Sequence, residues 1–216
     1  MLYVDCVPSL MTSPTEVGSS VAGVRETQRL ETRARVFDAA VAEIGRSGLA
    51  GADVSTIARA AGVVRGTFYF HFPTKEHVLV ELERTEEAQI VEKLDTRTTS
   101  PNDLAPLLSS LVRQVLAAER RLGPLIFRDM LGLHFSSTRP VEDALIEHPL
   151  AEFVIAAIAE AQAAGRVHRD ADPGELGVIF MTGLFALLAT AGPASRARTA
   201  LLDRYVRTIV EGMGTR

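Results

Sequence analysis

The stretch VVRGTFYFHFPTKEHV, Val63 to Val78, decides the fold. It sets four aromatic rings, an arginine, two histidines and a lysine around one glycine, and its helix-forming run stops at Pro73. On a helical wheel Phe68 and Phe72 are i,i+4 neighbours and share one face, the core face. Gly66 and Phe70 lie opposite, Arg65 and Tyr69 line one flank, and Thr67 and His71 line the other. A helical glycine costs about 1 kcal/mol against alanine, and an exposed phenylalanine is also unfavourable. A partner surface that packs closely on this outer face accounts for both.

Working outward, Asp53 is placed to cap a short preceding helix, whose buried stripe is Val54, Ile57, Ala58 and Ala61. Ala58 is small enough for two helices to cross there. Gly62 supplies the left-handed conformation of a tight turn. Two short helices joined by such a turn form a helix-turn-helix, at about 53–72. Upstream, Val36, Phe37, Ala40, Val41 and Ile44 recur at helical spacing, until GRSGLAG breaks the helix. Residues 1–24 are rich in Ser, Thr, Pro, Gly and Val and read as a flexible tail. Downstream, helices are expected near 74–97, with Thr74 as N-cap, 102–120, 124–135, 141–164 (bent at Pro149), 174–191 and 194–213. No window alternates like a strand, so the fold class is all-α.

The chain of 216 residues is 47% hydrophobic and carries a formal charge of −4. That total says nothing of a nucleic-acid partner, so such a site has to be local. From Arg25 to Lys75 there are eight basic and five acidic residues, a local +3. Cys6 is the single cysteine, and one thiol makes no intrachain disulfide, which fits a reducing, cytoplasmic setting. No signal peptide is read at the start. The apolar run Leu176–Gly192 reads as a buried helix rather than a membrane span.

The segment ADVSTIARAAGVVRGTFYFHFPTKEHVLVEL, Ala52 to Leu82, resembles the DNA-binding segment of TetR-family transcriptional regulators. The matching elements are the Ala58 and Gly62 pair, GTFYFHF, Pro73, and TKE opening the next helix. The resemblance implies a DNA-binding domain over 25–73, a helical regulatory and dimerisation domain over 74–216, and a palindromic double-stranded operator bound by a homodimer, usually for repression. It implies Arg65, Gly66, Thr67, Tyr69 and His71 at the DNA. Arg65 suits guanine O6 and N7, and Lys75 suits a phosphate at a helix N-terminus. Two positions depart from the family pattern. Ser55 stands where arginine is common, which weakens a phosphate contact there. Phe70 stands where tyrosine is common, which removes a hydroxyl.

In the regulatory half, the apolar helix 174–191 and the stripe Leu201, Leu202, Tyr205, Val206, Ile209, Val210 and Met213 suit a symmetric four-helix seam between two copies. Phe127, Met130 and His134, with Phe153, and with Phe180, Met181 and Phe185, cluster on three predicted helices. They suggest a cavity for a mostly apolar small molecule, with His134 and Arg128 as polar anchors. The same residues also suit a filled core. No Cys, His or carboxylate spacing points to a metal, and no cofactor is implied. No phosphate loop, dinucleotide motif or H-E-x-x-H is present, so the chain is read as no enzyme. The competing readings are a helical enzyme whose site assembles from distant residues, and a helical interaction protein with a vestigial helix-turn-helix.

Overall fold

The computed structural model describes residues 17–94, 104–140, 148–190, 192 and 194–214, with side chains from Gly23 onward. Among these residues there are nine helices and no strand. They are α1 Val17–Gly51, α2 Val54–Ala60, α3 Arg65–His71, α4 Lys75–Lys93, α5 Leu104–Leu122, α6 Pro124–His134, α7 Pro149–Ala163, α8 Pro173–Thr190 and α9 Arg196–Met213.

Helix α1 begins at Val17, inside the segment read as a tail; residues 1–16 lie outside the described residues. Once a helix is nucleated it propagates at little cost per residue, so these turns need no burial. Gly48 breaks α1, with φ +73° and ψ 164°, as GRSGLAG suggested. Asp53 caps α2, its carboxylate accepting from the amides of Ser55 and Thr56. Gly62 takes φ +69°, and the Val63 amide closes the turn onto the Ala58 carbonyl at 2.9 Å. Two expected helices are shorter: α4 ends at Lys93, and α7 starts at Pro149, the first helical position after the N-cap His148. Proline fits there because that amide has no intrahelical partner. The stretches 95–103 and 141–147 lie outside the described residues.

Two cores form. In the first, Val36, Ala40 and Ile44 of α1 meet Ile57, Phe68, Phe72 and Leu79, and α6 adds Ile126, Met130 and Leu133. Arg33 reinforces it by pairing with Glu81 and lying 4.5 Å over the Phe72 ring. The second core joins Leu108, Leu111, Val154, Ile158, Phe180, Leu184, Leu202 and Val206 from α5, α7, α8 and α9. Helix α6 therefore contributes to the first core and, through Phe127 and Leu131, to the second.

Helix α8 is not the buried helix that its composition suggested. It is long and apolar enough to cross a membrane. Gly177 lets it pack on Ile155, where a Cβ would come within 2.6 Å, and Gly183 lets it pack on Tyr205. Its outer face leaves Val178 and Ile179 exposed, and Leu201 of α9 is exposed as well. The α9 stripe is mostly internal: Leu202, Val206 and Met213 are buried, and the Tyr205 hydroxyl donates to the Phe180 carbonyl at 2.6 Å.

Candidate functional site

The outer face of α3 follows the wheel. Phe68 and Phe72 are buried, while Arg65, Gly66, Tyr69 and Phe70 are exposed and Thr67 and His71 are half-buried. Phe70 is 73% exposed and the preceding Val64 is 75% exposed. Arg65 donates to the Tyr69 hydroxyl at 3.3 Å and lies over its ring, so the two side chains pre-form one flank. A Cβ added at Gly66 would meet nothing within 4 Å. No packing inside the chain explains this glycine. Ser55 is exposed on α2 beside the Asp53 cap. His71 sits under partial burial and beside Arg29 and Arg33, which push its pKa down and favour the neutral ring.

Lys75 is placed otherwise than expected for a phosphate contact. Its Nζ donates to the carbonyls of Leu49 (2.6 Å) and Ala52 (2.8 Å). The charge thus caps the loop between α1 and α2 instead of standing free on the surface. Thr74 is the N-cap of α4 by backbone position, but its hydroxyl lies against His77 Nδ1 at 3.0 Å.

A cavity of about 520 Å³ opens between α4, α6, α7 and α8. His134, Met181 and Phe185 line it, together with Glu87, Phe135, Arg139, His148, Ile155, Asp172, Glu175 and Val178. The other expected lining residues lie elsewhere. Phe127 and Met130 border a smaller void of about 40 Å³ that shares Glu87, His134 and Phe185 with the cavity. Phe180 is fully buried and stacks on Tyr205, and Phe153 packs against the second core. Arg128 points away: its side chain is 68% exposed, and its contact is Asp129. A helix of eleven residues turns only part of its length toward any one neighbour, so one of two adjacent polar residues faces out.

Sequence reasoning missed the polar end of this cavity. Glu83, Glu86 and Glu87 are buried on α4. Glu83 pairs with His134 and with Arg139 (3.0 Å), Glu86 pairs with Arg121, and Glu87 lies 3.6 Å from His148. Burial alone would raise the Glu83 carboxyl, but His134 and Arg139 outweigh it and hold the group below its ordinary range. Glu87 pushes His148 up, against the opposing effect of burial. The carboxylate spacing, i and i+4 on one helix, was the available signal. Glu83, Glu87 and His134 bring metal-ligand types within 4.8 Å of one another, which the spacing of residues in sequence did not suggest. Arg139 offsets part of the carboxylate charge, and His134 and His148 lie against the same two glutamates.

Residues 36–82, the α1–α4 unit just described, match the family model for bacterial regulatory proteins of the tetR family. Over these residues the chain is similar to the tetR family. The fatty acid metabolism regulator protein of Bacillus subtilis (strain 168) is 34% identical over 79 residues, 35% of this chain and 41% of that protein. The chain spans about two fifths of the length of the curated relatives it matches. Among solved structures, Thermus thermophilus FadR, a repressor in complex with lauroyl-CoA, is 24% identical with a TM-score of 0.68, covering 85% of this chain and 96% of that one. RolR in complex with resorcinol is 19% identical, also with a TM-score of 0.68, covering 88% and 91%. At these identities the two structures speak for the tetR-type fold alone.

Proposed function

We propose that the chain is a transcriptional repressor that binds a palindromic DNA site as a homodimer and releases it when a small molecule enters the α4–α8 cavity. The observation that carries the reading is the outer face of α3. Gly66 meets no packing among the described residues, and Val64 and Phe70 are the most exposed large apolar residues among them. A helix laid in the major groove accounts for all three, because a glycine lets the backbone approach and apolar groups meet thymine methyls. Arg65 is the base-reading residue in this account, with Tyr69 holding its guanidinium. Ser55, Thr67 and His71 serve phosphates and sugar at the groove edges.

Release is supported by α6, which borders the cavity through His134 and touches the DNA-binding unit through Asp129. The dimer is supported by Ile179 and Leu201, exposed on α8 and α9. Selection from a random DNA pool with the purified protein tests the function, followed by binding of Arg65→Ala. The reading requires an enriched palindrome and a loss of about 1–3 kcal/mol per half-site at one base position. A pool with no enriched sequence sinks it.

A further inference from the structure

Helix α4 buries three glutamates, and their surroundings differ. Glu86 pairs with Arg121. Glu83 and Glu87 are i,i+4 neighbours on one face, where like charges repel. Opposite them, at the end of α6, Nε2 of His134 meets Oε1 of Glu83. One ligand atom from each of Glu83, Glu87 and His134 lies within 4.8 Å of the other two.

All three residues border the small void of about 40 Å³, which has space for one ion and little more. Glu87 and His134 also border the large cavity, so an ion there is reached from that side. Bonds of about 2.0–2.2 Å place the ligand atoms of one ion roughly 3–4 Å apart. Closing the three groups onto an ion therefore needs shifts of roughly 1 Å.

Carboxylates that bind metals are themselves held by hydrogen bonds. Arg139 donates to Oε2 of Glu83 at 3.0 Å and leaves Oε1 toward His134. The Leu150 amide donates to Oε2 of Glu87 at 3.4 Å. Nδ1 of His148 is buried without a hydrogen-bond partner, 3.6 Å from Oε1 of Glu87. It is aimed at the cluster rather than at the cavity, and from there it steadies Glu87. Charge favours a cation as well. Among the described lining residues of the cavity, Glu87, Asp172 and Glu175 stand with one permanent cation, Arg139. Buried charges are paired or bind metals, and a divalent ion reduces this excess. His134 is the last residue of α6, the end of a helix that favours positive charge.

We propose that Glu83, Glu87 and His134 bind a divalent transition-metal ion, with Zn²⁺ and Co²⁺ as the probes, where the small void meets the cavity. The imidazole favours such ions over Mg²⁺ and Ca²⁺. An ion held by three side chains keeps a position for water or for a donor atom of an entering molecule. Here that position opens on the cavity. The inference does not need the cavity to regulate DNA binding.

Zn²⁺ and Co²⁺ alone are titrated into the full, untagged chain after treatment with EDTA, by calorimetry and by cobalt absorption. The natural chain should bind one ion, and a roughly tenfold excess of Mg²⁺ should not displace it. Glu83→Gln and Glu87→Gln keep the shape and lose the charge, and each should weaken binding by about a hundredfold. His148→Phe should weaken it by about tenfold. Glu86→Gln keeps all three ligands and should leave it nearly unchanged. His134→Cys exchanges imidazole for thiolate, so Co²⁺ should still bind and show a sulfur-to-cobalt charge-transfer band in the near ultraviolet. The natural chain, whose single thiol is Cys6, should show none. Zn²⁺ should raise the melting temperature of the natural chain and not that of Glu87→Gln, and circular dichroism checks that each variant is folded. No binding of either ion to the natural chain, affinity that survives both Glu83→Gln and Glu87→Gln, an equal loss from Glu86→Gln, or a His134→Cys chain that binds Co²⁺ without the sulfur band overturns the inference.

Discussion

Asp129 of α6 accepts a 2.6 Å hydrogen bond from the backbone amide of Leu49, one residue past the break in α1. A Cβ at Gly48 would come within 3.3 Å of the same carboxylate. From the other side, Lys75 holds the carbonyls of Leu49 and Ala52. The loop that aims α2 and α3 is therefore gripped on its amide by α6 and on its carbonyls by α4. Five residues along α6 from Asp129, His134 lines the cavity. Under the proposed release mechanism, a shift of α6 on ligand entry would move the grip on this loop directly, a two-ended element of the kind coupling requires.

Asp129→Ala removes the acceptor and leaves the Leu49 amide unpaired. The expected loss of stability is about 1–3 kcal/mol, read from urea unfolding. Any ligand that releases DNA from the natural chain should release it less well from this variant, while binding in the cavity is unchanged. Full release from the variant would show that the coupling runs elsewhere.

Lys75 and Arg65 should behave as opposites. Lys75→Met keeps the stem but leaves two carbonyls without their donor, so stability should fall by about 1–3 kcal/mol. Its effect on DNA should follow the misplaced loop and be alike for all sequences. Arg65→Ala, on an exposed side chain, should leave unfolding within about 0.5 kcal/mol and change base preference. Equal melting of Lys75→Met and the natural chain would return Lys75 to the phosphate role.

The buried charge network gives stability a pH window. Glu83 is held below its ordinary value of 4.5, so its contribution is present above that value and lost as pH falls through the folded pKa. His148 is raised above 6.5, so its contribution is present below 6.5 and lost as pH rises through the folded pKa. Glu87, Arg139 and His134 face these groups and share the network. Stability attributable to the cluster should peak between those two ordinary values. His148→Asn should flatten the alkaline decline in unfolding free energy measured from about pH 6 to about pH 9; an unchanged slope contradicts the assignment.

The proposed seam between copies should be tested on α8 rather than at Tyr205. Tyr205 donates to the Phe180 carbonyl, and burial pushes its hydroxyl up to about 12, so its replacement disturbs the monomer's own packing. Ile179 is 55% exposed. Ile179→Glu should leave the melt of the isolated chain nearly unchanged and yield monomers by light scattering. A dimer mass that survives places the interface elsewhere.

The helix-turn-helix was legible because each signal is local: Phe68 and Phe72 four residues apart, Gly62 in its turn, Asp53 two and three residues before the amides it caps. Lys75 was not, since its acceptors lie 26 and 23 residues back and nothing in the sequence aligns an ammonium with them. The apolar lining was half legible: Met181 and Phe185 face the cavity, whereas Phe180, their neighbour, faces the core. The polar end was hidden because Glu83 and Glu87, His134, Arg139 and His148 come from four separate places in the chain. Only folding brings them together.

Gly66→Ala tests the central claim most directly, because the two halves of the account predict opposite signs. Within the chain the new methyl meets nothing within 4 Å, so stability should rise, by about 0.5–1 kcal/mol. If α3 lies in the major groove, the same methyl stands between backbone and DNA, and affinity for the selected site should fall by about tenfold or more per dimer. A variant that melts higher and binds DNA more weakly is the predicted result. A variant that melts higher and binds the site as well as, or better than, the natural chain contradicts the placement of α3 against DNA.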